Sequence, residues 1–251
     1  MKKNMQSLGR FTMFTIESLR WMVRRPFRGR LLLDEMQFIG NESLAIVALT
    51  SVFTGAVFAY QSWLAFVMVG TESLVGVSVS LALVRELAPV MTGLVVTGRA
   101  GAAMAAQLGN MRVSEQIDAL EVMAVSPLQY LVGPKIIAST ISLPLLAAIF
   151  GMIGNLGGYA VAVYVCGIDP GIYVAKLRYY MDPWDFYHGL IKAGFFGFLL
   201  AAISTYQGYR AKNGALGVGK ATNDAVVYSF VVILVLDYFL SVLIPTGIRT
   251  Q

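Results

Sequence analysis

The stretch from Gly98 to Leu120 restricts the possible folds more than any other part of this 251-residue chain. Between Ala100 and Ala106 nearly every residue is small. Small side chains at successive positions let the backbone of a second helix approach closely, which is how helices pack within membranes. The stretch therefore predicts a membrane-embedded helix that lies directly against its neighbours.

The residues that follow predict a short amphipathic helix over 113–124, just outside the membrane. Apolar side chains recur at helical spacing at Val113, Ile117, Leu120 and Ala124. Carboxylates form a second stripe at i, i+3 and i+6, made of Glu115, Asp118 and Glu121. An acidic ridge at a membrane surface is suited to dock a separate protein, and we expect this segment to act as a coupling helix.

Composition indicates an all-α polytopic membrane protein with a single domain, residues 1–251. The chain is 57% hydrophobic and 13% charged, with a mean hydropathy of +0.69, whereas about 25% of the residues in soluble domains are charged. A helix needs about 20 apolar residues to cross a bilayer. Five stretches meet this requirement and predict five transmembrane helices, at about 43–71, 75–110, 126–168, 186–207 and 225–245.

Residues 1–30 predict an interfacial helix, running from about residue 6 to 25 and ended by Pro26. Its apolar face consists of Leu8, Phe11, Thr15, Leu19 and Met22. Elsewhere, polar residues that precede apolar stretches predict helix starts. Asn41 is expected to cap the first span. Asp169-Pro170 is expected to cap a short segment that reaches Tyr180, and Asp182-Pro183 is expected to cap the fourth span.

The distribution of basic residues predicts the orientation, because short cytoplasmic loops are enriched in Lys and Arg. If the N-terminus is cytoplasmic, segments 1–34, 106–128 and 206–222 are inside and carry twelve basic residues. The outside segments, including the C-terminus, then carry three. We therefore expect a cytoplasmic N-terminus, a cytoplasmic 113–124 helix and a periplasmic C-terminus.

Several function classes are excluded by missing motifs. The sequence has no GxxxxGK[ST] phosphate loop, HExxH, GxSxG or CxxC. It therefore predicts no catalytic residue, metal site or cofactor, and ATP hydrolysis is expected only in a partner chain. His188 is expected to be an interfacial residue without a chemical role. Asp182 and Asp185 are expected to mark the start of a helix and not to bind a metal ion. The basic first 30 residues favour anionic lipid headgroups over nucleic acid.

Polar residues within the spans are the candidates for function, because a charge at the bilayer centre costs about 2.5–3.5 kcal/mol. Arg85 and Glu86 are adjacent, so they point to different sides of a helix, and they either line a site or lie at the outer interface. Arg99 is expected deeper, where it pairs with another helix or meets a lipid phosphate. Asp237 is the candidate partner for one of these arginines. We expect no convergent cluster of polar groups of the kind an intramembrane enzyme needs.

Residues 85–120 resemble the signature of the MlaE-type permease family. The resembling motifs are Arg85-Glu86-Leu87-x-Pro89, Gly98-Arg99-x-Gly101, Leu108-Gly109-x-Met111 and Glu115-Gln116-Ile117-Asp118-Ala119-Leu120. The sequence departs from the family pattern at Gln107, where an acidic residue is common, which leaves any role of a carboxylate there in doubt.

The resemblance implies the permease subunit of an ABC transporter in the inner membrane. Its implied partners are a cytoplasmic ABC ATPase and a periplasmic MCE-domain protein, and its implied substrate is phospholipid, moved between the inner and outer membranes to maintain outer-membrane asymmetry. We expect a homodimer, because five spans enclose little space and close-packing glycines need a partner surface. The candidate lipid-path residues are Arg85, Glu86, Val95, Arg99, Ala103 and Gln107. The candidate ATPase-coupling residues are Glu115, Gln116, Asp118 and Glu121.

Other interpretations remain open at this point. Within the family, a sterol or another lipid is the nearest rival substrate. A secondary transporter would need coupling-ion residues and usually internal repeats, and neither is visible. An intramembrane lipid enzyme would need a catalytic constellation, which is absent from the sequence. Lipid turnover by the isolated chain would support that interpretation.

Overall fold

The computed structural model describes residues 2–22 and 29–244, with side chains for residues 9–20 and 29–244. Within these residues there is no strand, which confirms the all-α class. Over the same residues we number eight helices: α1 Lys2–Met22, α2 Gly29–Val67, α3 Glu72–Val113, α4 Gln116–Val122, α5 Leu128–Val165, α6 Pro170–Tyr180, α7 Pro183–Tyr209 and α8 Gly214–Leu243.

Five of the helices in the described part of the chain are long and apolar enough to cross a membrane, namely α2, α3, α5, α7 and α8. This confirms the five predicted spans. The first three have 39, 42 and 38 residues, whereas a crossing needs about 20, so each tilts or extends beyond the hydrocarbon. Short connections make successive spans antiparallel, which places α4 at one end of the bundle and α6 at the other. We call these the α4 end and the α6 end.

The start of α2 differs from the prediction. Asn41 was expected to cap the first span, but the helix already begins at Gly29 and continues through Asn41, whose side chain makes no capping hydrogen bond. A π-helical turn at Gln37–Asn41 joins the two α-helical parts. Further π turns interrupt α3 at Leu83–Leu87 and Thr97–Gly101. Such turns are often found at functional sites.

The two predicted aspartate helix starts at the α6 end are confirmed. The Asp169 side chain accepts a hydrogen bond from the backbone N–H of Ile172 at 2.9 Å and begins α6. Asp182 and Asp185 form a capping box at the start of α7, in which the Asp185 side chain accepts from the backbone N–H of Asp182 at 3.0 Å. These caps hold the α6–α7 corner in place.

The glycines of α5 form the tightest helix contact, and they meet α2 of the same chain. A Cβ atom added at Gly55 of α2 would lie 1.9 Å from the carbonyl oxygen of Gly154 on α5, and one at Gly157 would lie 2.5 Å from that of Val52. The expectation that the glycines of α5 need the surface of a second copy is therefore wrong, because Gly154 and Gly158 pack against α2 and Gly151 packs against α3 of the same chain.

The small residues of α3 allow close packing as predicted, with α7 and α8 as partners. A Cβ atom at Gly208 of α7 would lie 2.5 Å from the carbonyl oxygen of Ala105. On α3 itself, Gly101 faces Leu200 of α7 and Gly109 faces Val218 of α8. The long helix α3, which contains several polar residues, is thus packed between α7 and α8.

Helix α1 packs across the α4 end of the bundle. The rings of Phe11 and Phe14 lie 5.3 and 5.4 Å from that of Tyr206, between ring centroids, and Phe14 lies 5.6 Å from Tyr209. Leu19, on the predicted apolar face of the interfacial helix, does not pack against the bundle and is exposed. The side chains of Leu8 and Met22, and Pro26, lie outside the described residues.

Candidate functional site

The predicted coupling segment is shorter than expected. A helix over 113–124 was predicted, but α4 covers only Gln116–Val122. Glu115 before it and Ala124 after it have positive φ angles of 59° and 58°. A residue in this left-handed region costs about 1–2 kcal/mol and ends a helix, so Val113 belongs to α3 and α4 is set off as a separate unit.

The acidic stripe is divided by this geometry. Glu115 lies in the left-handed turn and is exposed, as is Gln116. Asp118 forms an ion pair with Arg112 of α3 at 2.5 Å, and Glu121 accepts a hydrogen bond from the hydroxyl of Tyr209 on α7 at 3.1 Å. Two of the predicted coupling residues therefore tie α4 to the spans.

Arg85 pairs with α7 close to the start of that helix. Its Nε donates to Asp185 Oδ1 at 2.8 Å, and its Nη2 contacts the same oxygen. Asp185 is fully buried, and its other oxygen closes the α7 capping box. Because each carboxylate oxygen has its own donor, Asp185 is fixed both by its own helix and by α3.

Glu86 belongs to a second cluster, two turns further along α7. Lys192 is fully buried and forms an ion pair with Glu86 of α3. The same ammonium group reaches Asp237 of α8 at 3.2 Å and the Ser241 hydroxyl at 2.6 Å. One lysine therefore links three spans. Asp237 was predicted to pair with an arginine, but it pairs with this lysine.

His188 lies between these two ion pairs along α7. It is one helical turn from Asp185 and one turn from Lys192, and it is buried. Neither ring nitrogen has a hydrogen-bond partner among the described residues. The expectation of no convergent polar cluster in the spans is wrong, because α3, α7 and α8 bring seven polar side chains together here: Arg85, Glu86, Asp185, His188, Lys192, Asp237 and Ser241.

Arg99 pairs with another helix, the first of the two predicted outcomes. Its guanidinium donates to Glu42 at 2.7 Å, to the Ser43 hydroxyl at 2.9 Å and to the backbone carbonyl of Phe38. It also lies 4.9 Å from the centroid of the Phe38 ring, at a distance that favours a cation–π contact. The planar guanidinium thus joins α3 to the π turn of α2.

Replacement of Arg99 by alanine is expected to destabilise the protein by about 2 kcal/mol, since the loss of hydrogen bonds from a charged group costs about 1.5–3 kcal/mol. The Glu42 side chain is 52% exposed, so solvent weakens that part and most of the loss comes from Ser43 and Phe38. Arg99→Lys should recover less than half, because an ammonium lacks the planar fork. Thermal unfolding in detergent measures both variants. Arg112→Ala, which removes an ion pair whose side chains are 36% and 50% exposed, is the control and should shift the melting temperature less.

Gln107 lies at the α4 end and bonds across helices. Its side-chain oxygen accepts from the Lys135 ammonium at 2.8 Å, and Lys135 also pairs with Glu35 of α2 at 2.6 Å. Lys135 is buried. An uncharged residue at position 107 therefore leaves the lysine with one carboxylate partner, Glu35.

The remaining lipid-path candidates lie along α3 but do not converge on one site. Val95 and Ala103 are partly buried, two turns apart. A separate apolar cavity of about 480 Å³ opens between α2 and α3, nearer the α6 end. It is lined by Phe53, Thr54, Val57, Phe58, Gln61, Leu87 and Met91. Sequence analysis did not single out this cavity.

The profile of a known family, Permease MlaE, matches residues 32–243. The chain belongs to the MlaE permease family. A "Probable ABC transporter permease protein" of Rickettsia bellii (strain RML369-C) is 43% identical over 236 residues, which cover 94% of this MlaE-family chain and 91% of the relative. The "Intermembrane phospholipid transport system permease protein MlaE" of Haemophilus influenzae (strain ATCC 51907 / DSM 11121 / KW20 / Rd) is 36% identical over 212 residues, covering 84% and 81%.

A plant protein is also similar in sequence to this chain. "Protein TRIGALACTOSYLDIACYLGLYCEROL 1, chloroplastic" of Arabidopsis thaliana is 38% identical over 209 residues, which cover 83% of the MlaE-family chain and 60% of the plant protein. The relatives are named as permeases, one of them as an ABC transporter permease, which fits a multi-pass transporter subunit that is not itself an enzyme.

Proposed function

We propose that this protein is the permease subunit of an ABC transporter that moves phospholipid between the inner and outer membranes and so maintains outer-membrane lipid asymmetry. The observation that carries the proposal is its membership of the MlaE family together with its similarity to the Haemophilus influenzae permease, whose name specifies intermembrane phospholipid transport. The apolar cavity between α2 and α3 supports a lipid substrate, because its walls suit acyl chains.

The proposed assembly contains two copies of this chain, a cytoplasmic ABC ATPase that uses ATP, and a periplasmic MCE-domain protein. The excess of basic residues supports a cytoplasmic α4 end in the inner membrane. The α4 helix then faces the ATPase, and the α6 end faces the MCE-domain protein. Closure of the ATPase pair presses on α4, and the movement reaches α3 through Arg112–Asp118 and α7 through Glu121–Tyr209.

The direct test is reconstitution of the complex in vesicles with its proposed partners, an ABC ATPase and an MCE-domain protein. Labelled phospholipid is expected to move between donor and acceptor vesicles only with ATP. A complex that hydrolyses ATP but moves no phospholipid, or that moves it equally well without ATP, contradicts the proposal. Transport by this chain alone would contradict it as well.

The proposed orientation predicts opposite labelling of the two ends. Lys212→Cys at the α4 end should react with a membrane-impermeant maleimide only from the cytoplasm, and Tyr179→Cys at the α6 end only from the periplasm, since both positions are exposed. The variants are made with Cys166→Ser, so that the introduced cysteine is the only thiol in the chain. Labelling of both positions from one side contradicts the count of spans.

The proposed lipid path predicts ATP-dependent capture of substrate along α3. A photo-reactive residue at Val95 or Gln107 should crosslink phospholipid, with a yield that changes at least twofold when ATP is withheld. The same residue at Val235, exposed on α8, is the control and should capture bulk lipid independently of ATP. An active complex with no capture on α3 contradicts this path.

A further inference from the structure

A groove of about 470 Å³ at the α4 end brings together three parts of the chain that are distant in sequence. It is lined by Phe14 and Glu17 of α1, Glu121 of α4, Tyr209 of α7, and Pro127 and Leu128 at the start of α5. The volume lies within the range of about 300–1,000 Å³ that is usual for binding pockets. It is large enough for a short segment of another chain.

The groove combines negative charge with aromatic walls. Glu17 and Glu121 come from different helices, and neither forms an ion pair with a described residue. Glu121 accepts only the neutral hydroxyl of Tyr209 within the bonds described for it. Two carboxylates beside the rings of Phe14 and Tyr209 favour a cation, because a guanidinium bonds to carboxylates and also stacks on aromatic faces.

An apolar projection stands beside the groove. Val122 and Met123, at the end of α4, are 88% and 63% exposed. Large apolar side chains that are exposed together on a surface rimmed by charges mark protein–protein or membrane interaction sites. The carboxylates of Glu17 and Glu121 repel the anionic headgroups of a cytoplasmic leaflet, so a protein partner is favoured over a lipid headgroup as the occupant of the groove.

We propose that the groove takes a segment of the partner ATPase that carries an arginine, whose guanidinium lies between Glu17 and Glu121 while Val122 and Met123 insert into the ATPase. This rests on the proposed function, since it assumes an ATPase at the α4 end. It adds the N-terminal helix α1 to the coupling contact, which the sequence assigned to α4 alone. Because Phe11 and Phe14 pack on Tyr206 and Tyr209, α1 follows the motion of α7.

The test compares charge reversals in the full complex. Glu17→Lys should lower the affinity of the permease for the ATPase at least tenfold, and Glu17→Gln should lower it less. Asp34→Lys, a reversal at an exposed position of α2 outside the groove, should leave it unchanged. Thermal unfolding of each isolated permease checks that the fold is kept, which is expected because Glu17 is exposed.

A photo-reactive residue at Val125, which lines the groove, identifies the occupant. It should crosslink an ATPase peptide that contains an arginine, and reversal of that arginine to glutamate should restore binding to Glu17→Lys. Normal ATPase affinity in Glu17→Lys, or a crosslink to phospholipid or to this chain alone, overturns the inference. Failure of the unaltered permease to retain the ATPase would instead overturn the proposed function.

Discussion

Replacement of Lys192 by methionine is expected to destabilise the protein by about 3 kcal/mol, at the lower end of the cost of breaking a buried ion pair, because the lysine is buried but its partners are partly exposed. The carboxylates of Glu86 and Asp237, whose side chains are 39% and 21% exposed, would then lie near each other without a cation. Thermal unfolding of the variant in detergent, followed by helical circular dichroism, measures the loss. Lys220→Met, at an exposed position of α8, is the matched control and should unfold like the unaltered protein.

A triple variant separates the effect of the unpaired charges from the effect of the changed side-chain shape. Lys192→Met combined with Glu86→Gln and Asp237→Asn removes all three charges together. It should recover most of the stability lost by the single change, since neutralising every member of a buried ionic group is often nearly neutral. A single variant that is as stable as the unaltered protein, or a triple variant no better than the single one, contradicts the assigned network.

Replacement of Gly55 by alanine is expected to destabilise the protein by about 3 kcal/mol, at the upper end of the usual cost of overpacking. The new Cβ would lie 1.9 Å from the Gly154 carbonyl oxygen. Because the obstacle is backbone, α2 and α5 must separate. Gly219→Ala is the control, since a Cβ there meets no atom within 4 Å and alanine favours a helix by up to about 1 kcal/mol over glycine. Equal melting temperatures for the two variants would contradict the α2–α5 contact.

The spans and most helix starts could be predicted from sequence, because they depend on local properties. An apolar stretch of sufficient length predicts a crossing, and an aspartate before proline predicts the caps at Asp169 and Asp182. The start of α2 could not be predicted in this way. Asn41 has the residue type of a cap, but the packing of the preceding turn on α5 keeps the helix continuous.

The partners in the ion pairs depend on tertiary structure, and the sequence predicted only that Arg99 could pair with another helix and that Asp237 could pair with an arginine. Arg85 and Asp185 are 100 residues apart, and Glu86 and Lys192 are 106 apart, so their pairing depends on how each span is rotated about its axis. A signal was nevertheless present in the sequence. Lys192 is the one charged residue between 186 and 209, and a lone charge in such a stretch indicates a partner on another helix.

The coupling residues show the same limit. The stripe of Glu115, Asp118 and Glu121 follows from helical spacing, yet Glu115 adopts a left-handed conformation and leaves the helix. Helical spacing also could not reveal that Glu17, about 100 residues earlier, lies at the same groove as Glu121. That arrangement follows from the packing of α1 across the bundle.

Mass spectrometry of the lipids retained by the purified permease–ATPase complex tests the central claim most directly. If the protein is a phospholipid permease, a glycerophospholipid should remain bound in near-stoichiometric amount through detergent exchange, and addition of ATP should reduce it. A complex that retains a sterol in place of phospholipid, or whose phospholipid content is the same with and without ATP, would contradict the account.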